Sequence, residues 1–293
     1  MDIYVSQIFT GLSVGSVLLL IALGLTFTFG QMGVINLAHG ELIMAGAYTT
    51  YVLGDTFSES MSLLVALPVA FVVAGLMGLV LERLLIRRLY GRPLDTLLVT
   101  WGVSLVLQQV ARDLFGAPNV NVTKPSWLDG GFELFGARLP YTRLFILALV
   151  ALAITAIWLY QTRSPAGRRM RAVMQNRQLA ACTGVNTERV DMRTFFIGSG
   201  LAGAAGVALT LLGPIGPTLG TNYIVDAFLV VVAGGLGQIR GAVFAAIGLG
   251  VLQAMVEFKT QASLAKVAAF VAVVVLLQLR PQGLVSLRSR ALT

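Results

Sequence analysis

Residues 33–48 read GVINLAHGELIMAGAY, and they hold the chain's one histidine, His39, with an acid, Glu41, two positions on. Positions i and i+2 lie roughly 200° apart on an α-helix, so His39 and Glu41 cannot share a helical face. If this apolar stretch crossed a membrane as an intact helix, one of the two would meet lipid, at about 3 kcal/mol for an ionised group. Two arrangements avoid that cost. Either the segment lines a protein-filled interior, or it breaks near Gly33–Gly40 and turns backbone amides and side chains towards a cavity. Gly40, Ala45, Gly46 and Ala47 would let another helix approach closely, as bundle interiors favour.

Composition sets the solvent. The chain has 293 residues, 57% apolar and 12% charged, with a mean hydropathy of +0.84. Soluble domains carry roughly 25% charged residues, and a soluble core of this size could not hide so much hydrocarbon. The chain is therefore read as an integral membrane protein. A net charge of +8 raises nucleic acid as a partner. However, the basic residues fall in short clusters between apolar spans, without interleaved aromatics, and suit the positive-inside rule instead. Cys182, the sole cysteine, excludes an internal disulfide and a cysteine metal cluster. Residues 3–38 carry no charge and no Lys or Arg precedes Arg83, so the first apolar run is expected to be a retained helix.

At about 20 apolar residues per span, candidates are 8–29, 34–53, 61–81, 94–115, 141–160, 194–212, 223–238, 241–257 and 264–280. The seventh and eighth are short and could form one interrupted helix, giving eight or nine spans in a single all-α membrane domain, 1–293. Arg83, Arg87, Arg88 and Arg92 crowd one loop, seven arginines crowd 161–193, and Arg280, Arg288 and Arg290 follow the last span. Nine crossings put all of these in the cytoplasm and leave 116–140, turn-rich with room for a short hairpin, outside with the N-terminus. Within 161–193, Ser164-Pro165 reads as an N-cap and first-turn proline, and Gly184 as a stop. The arginine-rich helix between them is either amphipathic on anionic lipid or a docking element.

A second stretch, AGGLGQIRGAVFAAIGLG (233–250), echoes the first: Met32-Gly33-Val34-Ile35 parallels Leu236-Gly237-Gln238-Ile239. Paired, glycine-broken helices in two repeat-like halves point to a transporter, with Gly33, Gly40, Gly235, Gly237 and Gly241 as the helix-break glycines. Asp226 follows Gly213-Pro214 and Gly216-Pro217, which preclude a regular helix. It either accepts bonds from amides near a helix start or faces substrate. Thr96, Thr100, Ser104 and Gln108 recur every fourth residue as one polar face, for interhelical hydrogen bonds or for substrate. No HExxH, no GxxxxGK[ST] and no serine-site glycine pair occurs, so neither intramembrane proteolysis nor ATP hydrolysis by its own P-loop is expected, and no metal is expected.

GVINLAHGELIMAGAY, GGLGQIRGAVFAAIGLG and AVMQNRQLAACTGVNTERV together resemble the permease subunits of branched-chain amino acid type ABC importers, over essentially the whole chain. Within that family, GRPLDTLLVTWGVSLVLQQ and LLGPIGPTLGTNYIVDAFLVVV look most like the urea-importer permease. The resemblance implies a non-catalytic inner-membrane subunit with no cofactor of its own. Its partners would be a second homologous permease, two cytoplasmic ATPase subunits that bind ATP, and a periplasmic substrate-binding protein. It also implies ATPase docking through 163–193, with Arg171, Asn176, Ala180, Ala181 and Gly184 as contact positions. Gln178 and Cys182 depart from the family's commoner pattern there.

Urea is small and neutral, and its route needs uncharged donors and acceptors. Asn36, His39, Glu41, Thr100, Gln108, Asn222 and Asp226 are the pathway candidates. A zwitterionic amino acid would need partners for an ammonium and a carboxylate, and the expected spans offer few. Urea is thus the expected cargo. Branched-chain amino acids are the alternative within the family, and a stand-alone urea channel or secondary carrier is the alternative outside it.

Overall fold

A computed structural model describes residues 2–57, 59–134 and 137–285. Arg288 and Arg290, counted in the charge argument, lie outside the described residues. Among the described residues the regular elements are helices, apart from one hairpin. In order come α1 (Asp2–Met32), α2 (His39–Gly54), α3 (Glu59–Leu84), α4 (Pro93–Phe115), the hairpin β1 (Gly131–Leu134) and β2 (Ala137–Pro140), and α5 (Tyr141–Arg163). Then follow α6 (Pro165–Gln175), α7 (Arg177–Cys182), α8 (Thr187–Thr210), α9 (Leu219–Gly234), α10 (Ile239–Lys259) and α11 (Ala262–Leu279).

Among the described residues, seven helices are long and apolar enough to cross a membrane: α1, α3, α4, α5, α8, α10 and α11. The other two expected spans are half-helices. α2 and α9 have 16 residues each, about 24 Å at 1.5 Å per residue against a hydrocarbon core of about 30 Å. The expected 34–53 starts late, at His39, because residues 33–36 are non-helical around Gly33 at φ 63°. The expected 223–238 is displaced to 219–234. Gly235 (φ 100°) and Gly237 (φ 75°) end it early, and α10 starts separately at Ile239.

Burial sorts the helices. Of their apolar spans, 78% of α8 and 72% of α1 is buried, against 22% of α5 and 17% of α11, so α1 and α8 form the centre. Glycines set how close their neighbours come. A Cβ on Gly40 would fall 2.7 Å from the Gly220 carbonyl oxygen, and one on Gly15 2.7 Å from that of Ala246. Backbone thus touches backbone where α2 meets α9 and where α1 meets α10.

Register gives the half-helices their direction. The His39 ring lies against Gly24, and Gly24 meets Gly198 midway along α8. α2 therefore begins inside the bundle. From there it runs alongside α8, with Gly46 at Gly203 and Leu53 packed in the Leu63–Leu211 cluster. α9 begins at the same contact, Gly220 on Gly40, and ends beside Gly241 and Ala242. Two helix N-termini thus abut inside the bundle and their helices diverge towards opposite ends.

The arginine-rich segments share one end. Arg87 pairs with Glu188, and Arg177 lies 4.9 Å over the Tyr90 ring. The hairpin and the 211–218 turn share the other, where Val120 and Ile215 exchange backbone hydrogen bonds of 2.8 and 2.9 Å.

Candidate functional site

The α1–α2 break forms the first candidate centre. Asn36, His39 and Glu41 are buried, with 0–1% of each exposed. The four-residue polar face of α4 is buried too, and it turns towards this break. The Leu37 amide donates to Thr100 Oγ1 at 3.1 Å. Ser104 Oγ donates to Glu41 Oε1 at 2.8 Å, and Gln108 Nε2 donates to the same oxygen at 3.0 Å. Gln108 Nε2 also donates to Thr221 Oγ1 on α9 at 3.0 Å, tying the two half-helices together through α4. Glu41 sits in the first turn of α2 beside the N-terminus of α9. Among the described residues, both side-chain polar atoms of Asn36 and Glu41 Oε2 have no hydrogen-bond partner, and the His39 ring faces the backbone of Ile21. A buried group without a partner costs roughly 1–3 kcal/mol, so these atoms call for a polar partner such as water.

Asn222 and Asp226 belong to a second centre. Neither sits in a loop: both are on α9, and Asp226 is half a helix beyond the first turn, so it does not accept from helix-start amides. Its carboxylate, 8% exposed, instead faces Lys266 of α11, with Oδ2 3.5 Å from Nζ. The two residues, with Asn222, Tyr223 and Gln253, line a cavity of about 450 Å³ whose other walls are apolar, among them Val14, Leu18, Leu209 and Leu219. Sequence reasoning missed Lys266. It lies inside the expected span 264–280, and an ammonium inside a span is itself a signal.

Between Ser164 and Gly184 the chain forms two helices and not one. Ser164 Oγ accepts from the Gly167 amide at 2.8 Å, as its N-cap reading required. Asn176 then leaves the helical region and caps α7, its Oδ1 accepting from the Leu179 amide at 3.0 Å. Gly184, at φ 82°, ends α7. The residues expected to make contact point different ways. Asn176, Ala181 and Gly184 are exposed, but Ala180 is buried at 5% and Arg171 is turned back onto the Gln161 carbonyl. Leu179, 65% exposed on the same short helix, was not singled out.

A buried polar cluster joins α7 to the end of α1. Arg177 Nη2 donates to Asp191 Oδ2 at 2.6 Å, and Asp191 Oδ1 accepts from Gln31 Nε2 at 3.0 Å. Thr194 Oγ1 donates to Gln31 Oε1. Asp191 is wholly buried and Glu82 is 1% exposed nearby. The Asp191 hydrogen bond raises the pKa of Arg177 above its ordinary value, and burial, then Asp191 and Glu82, raise that of the Tyr90 phenol. Tyr90 therefore stays neutral and Arg177 charged at any working pH. Gln31 is the penultimate residue of α1, so this cluster reaches the edge of the α1–α2 break.

Residues 7–279 match the family described as the branched-chain amino acid transport system / permease component. The chain belongs to that permease family. It is 31% identical over 292 residues to the high-affinity branched-chain amino acid transport system permease protein LivH of Salmonella typhimurium, covering 96% of this chain and 95% of that one. To the corresponding permease BraD of Pseudomonas aeruginosa it is 30% identical over 294 residues, with the same coverage. To the permease LivM of Escherichia coli it is 26% identical over 290 residues, covering 91% and 67%. No solved structure matches it. As a branched-chain-type permease component, the chain is a non-catalytic, multi-pass subunit of an ABC transporter, and ATP is handled by partner ATPases. The urea-type resemblance within the family finds no support among these relatives, all of which are named for branched-chain amino acids.

Proposed function

We propose that this permease forms half of the translocation path of an ABC importer for amino acids with apolar side chains, with a second, LivM-like permease as the other half. The observation that carries the substrate class is the Asp226–Lys266 pair. The expectation of urea rested on the resemblance of two stretches and on a shortage of opposite charges in the spans, and here one of each borders a cavity with leucine and valine walls. A zwitterion entering it would exchange one ion pair for two, with its ammonium on Asp226 and its carboxylate on Lys266. Its side chain would replace water against Leu18 and Leu209. Urea would leave the pair intact and gain only neutral hydrogen bonds from Asn222 and Gln253.

In this reading the exposed side of α6–α7, with Asn176, Leu179 and Ala181, meets a cytoplasmic ATPase. Movement of α7 pulls on Asp191 and Gln31 through Arg177 and so reaches the α1–α2 break. There Asn36, His39, Glu41, Thr100 and Gln108 are the polar groups that a solute crosses between the half-helices. A periplasmic binding protein would deliver the solute to the hairpin end, the 116–140 side.

Two measurements test this. Liposomes holding both permeases and the ATPases should accumulate labelled leucine on ATP hydrolysis, and Asp226→Asn should cut that uptake at least about tenfold, as loss of one charged contact of about 1.5–3 kcal/mol implies. Uptake of urea but not leucine would overturn the substrate class. Separately, Cys182 is free and exposed, so a membrane-impermeant maleimide should label it in inside-out vesicles alone. Labelling in right-side-out vesicles would place α6–α7 on the wrong side for an ATPase.

A further inference from the structure

α5 packs on α1 and α6, and a cleft remains between its end and α3, floored by α8. Two cavities meet there. One, of about 380 Å³, is bordered by Arg169, Arg189 and Arg193 together with Thr183 and Asn186. The other, of about 550 Å³, runs on between Leu79, Phe196 and Ile197, and Tyr160 and Arg193 border both. Among the described residues, none of the three arginines has a carboxylate within ion-pair distance, whereas Arg87, Arg92 and Arg177 each do.

We propose that this cleft holds an anionic phospholipid, its phosphate among the three arginines and an acyl chain along Phe196 and Ile197. The arginine pocket lies at the basic end of the bundle, where α8 begins at Thr187, and the apolar cavity follows α8 to Ile197. That is about 15 Å along the helix axis. A soluble anion has no use for the apolar extension. A docked ATPase meets the end of the bundle and cannot reach Leu79 or Ile197 on its flank, both inside spanning helices. A lipid satisfies both parts at once, with charge at the head and hydrocarbon behind it. Basic pockets between spanning helices are suited to such head groups, and Tyr160 stands at the level where amphipathic rings sit. The site lies apart from the Asp226–Lys266 cavity and does not depend on which solute is carried.

Native mass spectrometry of the intact detergent-purified complex tests this, with phosphatidylglycerol and phosphatidylcholine of identical acyl chains as probes. The expected result is one phosphatidylglycerol retained per chain in preference to phosphatidylcholine. Arg189→Gln and Arg193→Gln should each weaken retention about fivefold. Ile197→Trp should weaken retention of the lipid without any change of charge, and excess inorganic phosphate should not displace it. Equal retention of the two lipids would overturn the proposal, as would displacement by phosphate, which would indicate a free-anion site. So would arginine variants that keep the lipid but release the ATPases, which would indicate a protein contact. Size-exclusion profiles of the variants separate loss of lipid from loss of fold.

Discussion

Gly40→Val and Gly220→Val will each abolish uptake and leave little folded protein. The two glycines meet backbone to backbone, and a Cβ on Gly40 would lie 2.7 Å from the Gly220 carbonyl oxygen and 2.8 Å from its carbon. The obstacle is main chain held by two helix starts, so it cannot rotate away as a side chain would. Overpacking typically costs about 1–3 kcal/mol where side chains can give, and this site has nothing that gives. The cost should exceed that range, and at least a tenfold loss of monodisperse protein is the outcome to look for by size exclusion. Gly102→Ala and Gly248→Ala provide the contrast. Neither position has any atom within 4 Å of an added Cβ, and each lies within a helix, where alanine is favoured over glycine by about 1 kcal/mol. They should be neutral or slightly stabilising. Normal yield and transport from Gly40→Val would refute the abutting half-helices.

Arg177→Ala carries the second large effect. It leaves Asp191, wholly buried, with the neutral donors Gln31 and the nearby Tyr90 phenol. Removing one partner of a fully buried pair costs about 3–5 kcal/mol, mostly as the penalty of an uncompensated charge. The Arg177 side chain is 41% exposed, and solvent screening brings the expected cost down to about 2 kcal/mol. For a chain of this size that lowers the thermal midpoint by about 5 °C. The double variant Arg177→Leu/Asp191→Asn should recover much of the loss, since it removes the stranded charge, and the coupling between the two changes measures the pair. If the pair also transmits motion, the double variant will be stable and bind the ATPases yet transport slowly. A double variant with full transport would confine the cluster to a structural role. Because the folded pKa of Arg177 is raised above its ordinary value, its contribution is complete below that ordinary value and lost only as pH rises through the folded one. The Arg177→Ala deficit should therefore not shrink on the alkaline side of neutrality.

Much of this architecture could be read from residue patterns. Apolar runs and arginine clusters pointed to eight or nine spans, where the described residues form seven spanning helices and the half-helices α2 and α9, and gathered the basic loops at one end. The His39–Glu41 spacing left two arrangements open, a protein-lined interior or a break near Gly33–Gly40. The helix is broken at 33–38, and both residues lie buried on the α2 that follows. The fourfold spacing of Thr96, Thr100, Ser104 and Gln108 fixed a buried face. The boundaries of α2 and α9 were less legible, because hydropathy does not change where the backbone leaves the helix: residues 34–38 are as apolar as those that follow. The echo between 30–50 and 233–250 drew attention to α10, yet the structural counterpart of α2 is α9. Its glycine, Gly220, follows a proline-rich turn and not a matching motif. Long-range partners were out of reach. Nothing local to Asp226 indicates Lys266, forty residues on, and nothing near Gln31 indicates Asp191.

The glycine seams have a practical corollary for anyone seeking a hardier version of this protein. The usual strategy of enlarging interior residues to fill voids has little room here, since at the α1–α10 and α2–α9 crossings the tolerated volume is already zero. Improvement should come from the periphery, at unencumbered positions such as 102 and 248, and a random-mutagenesis map should show intolerance tracking main-chain proximity more closely than hydrophobicity.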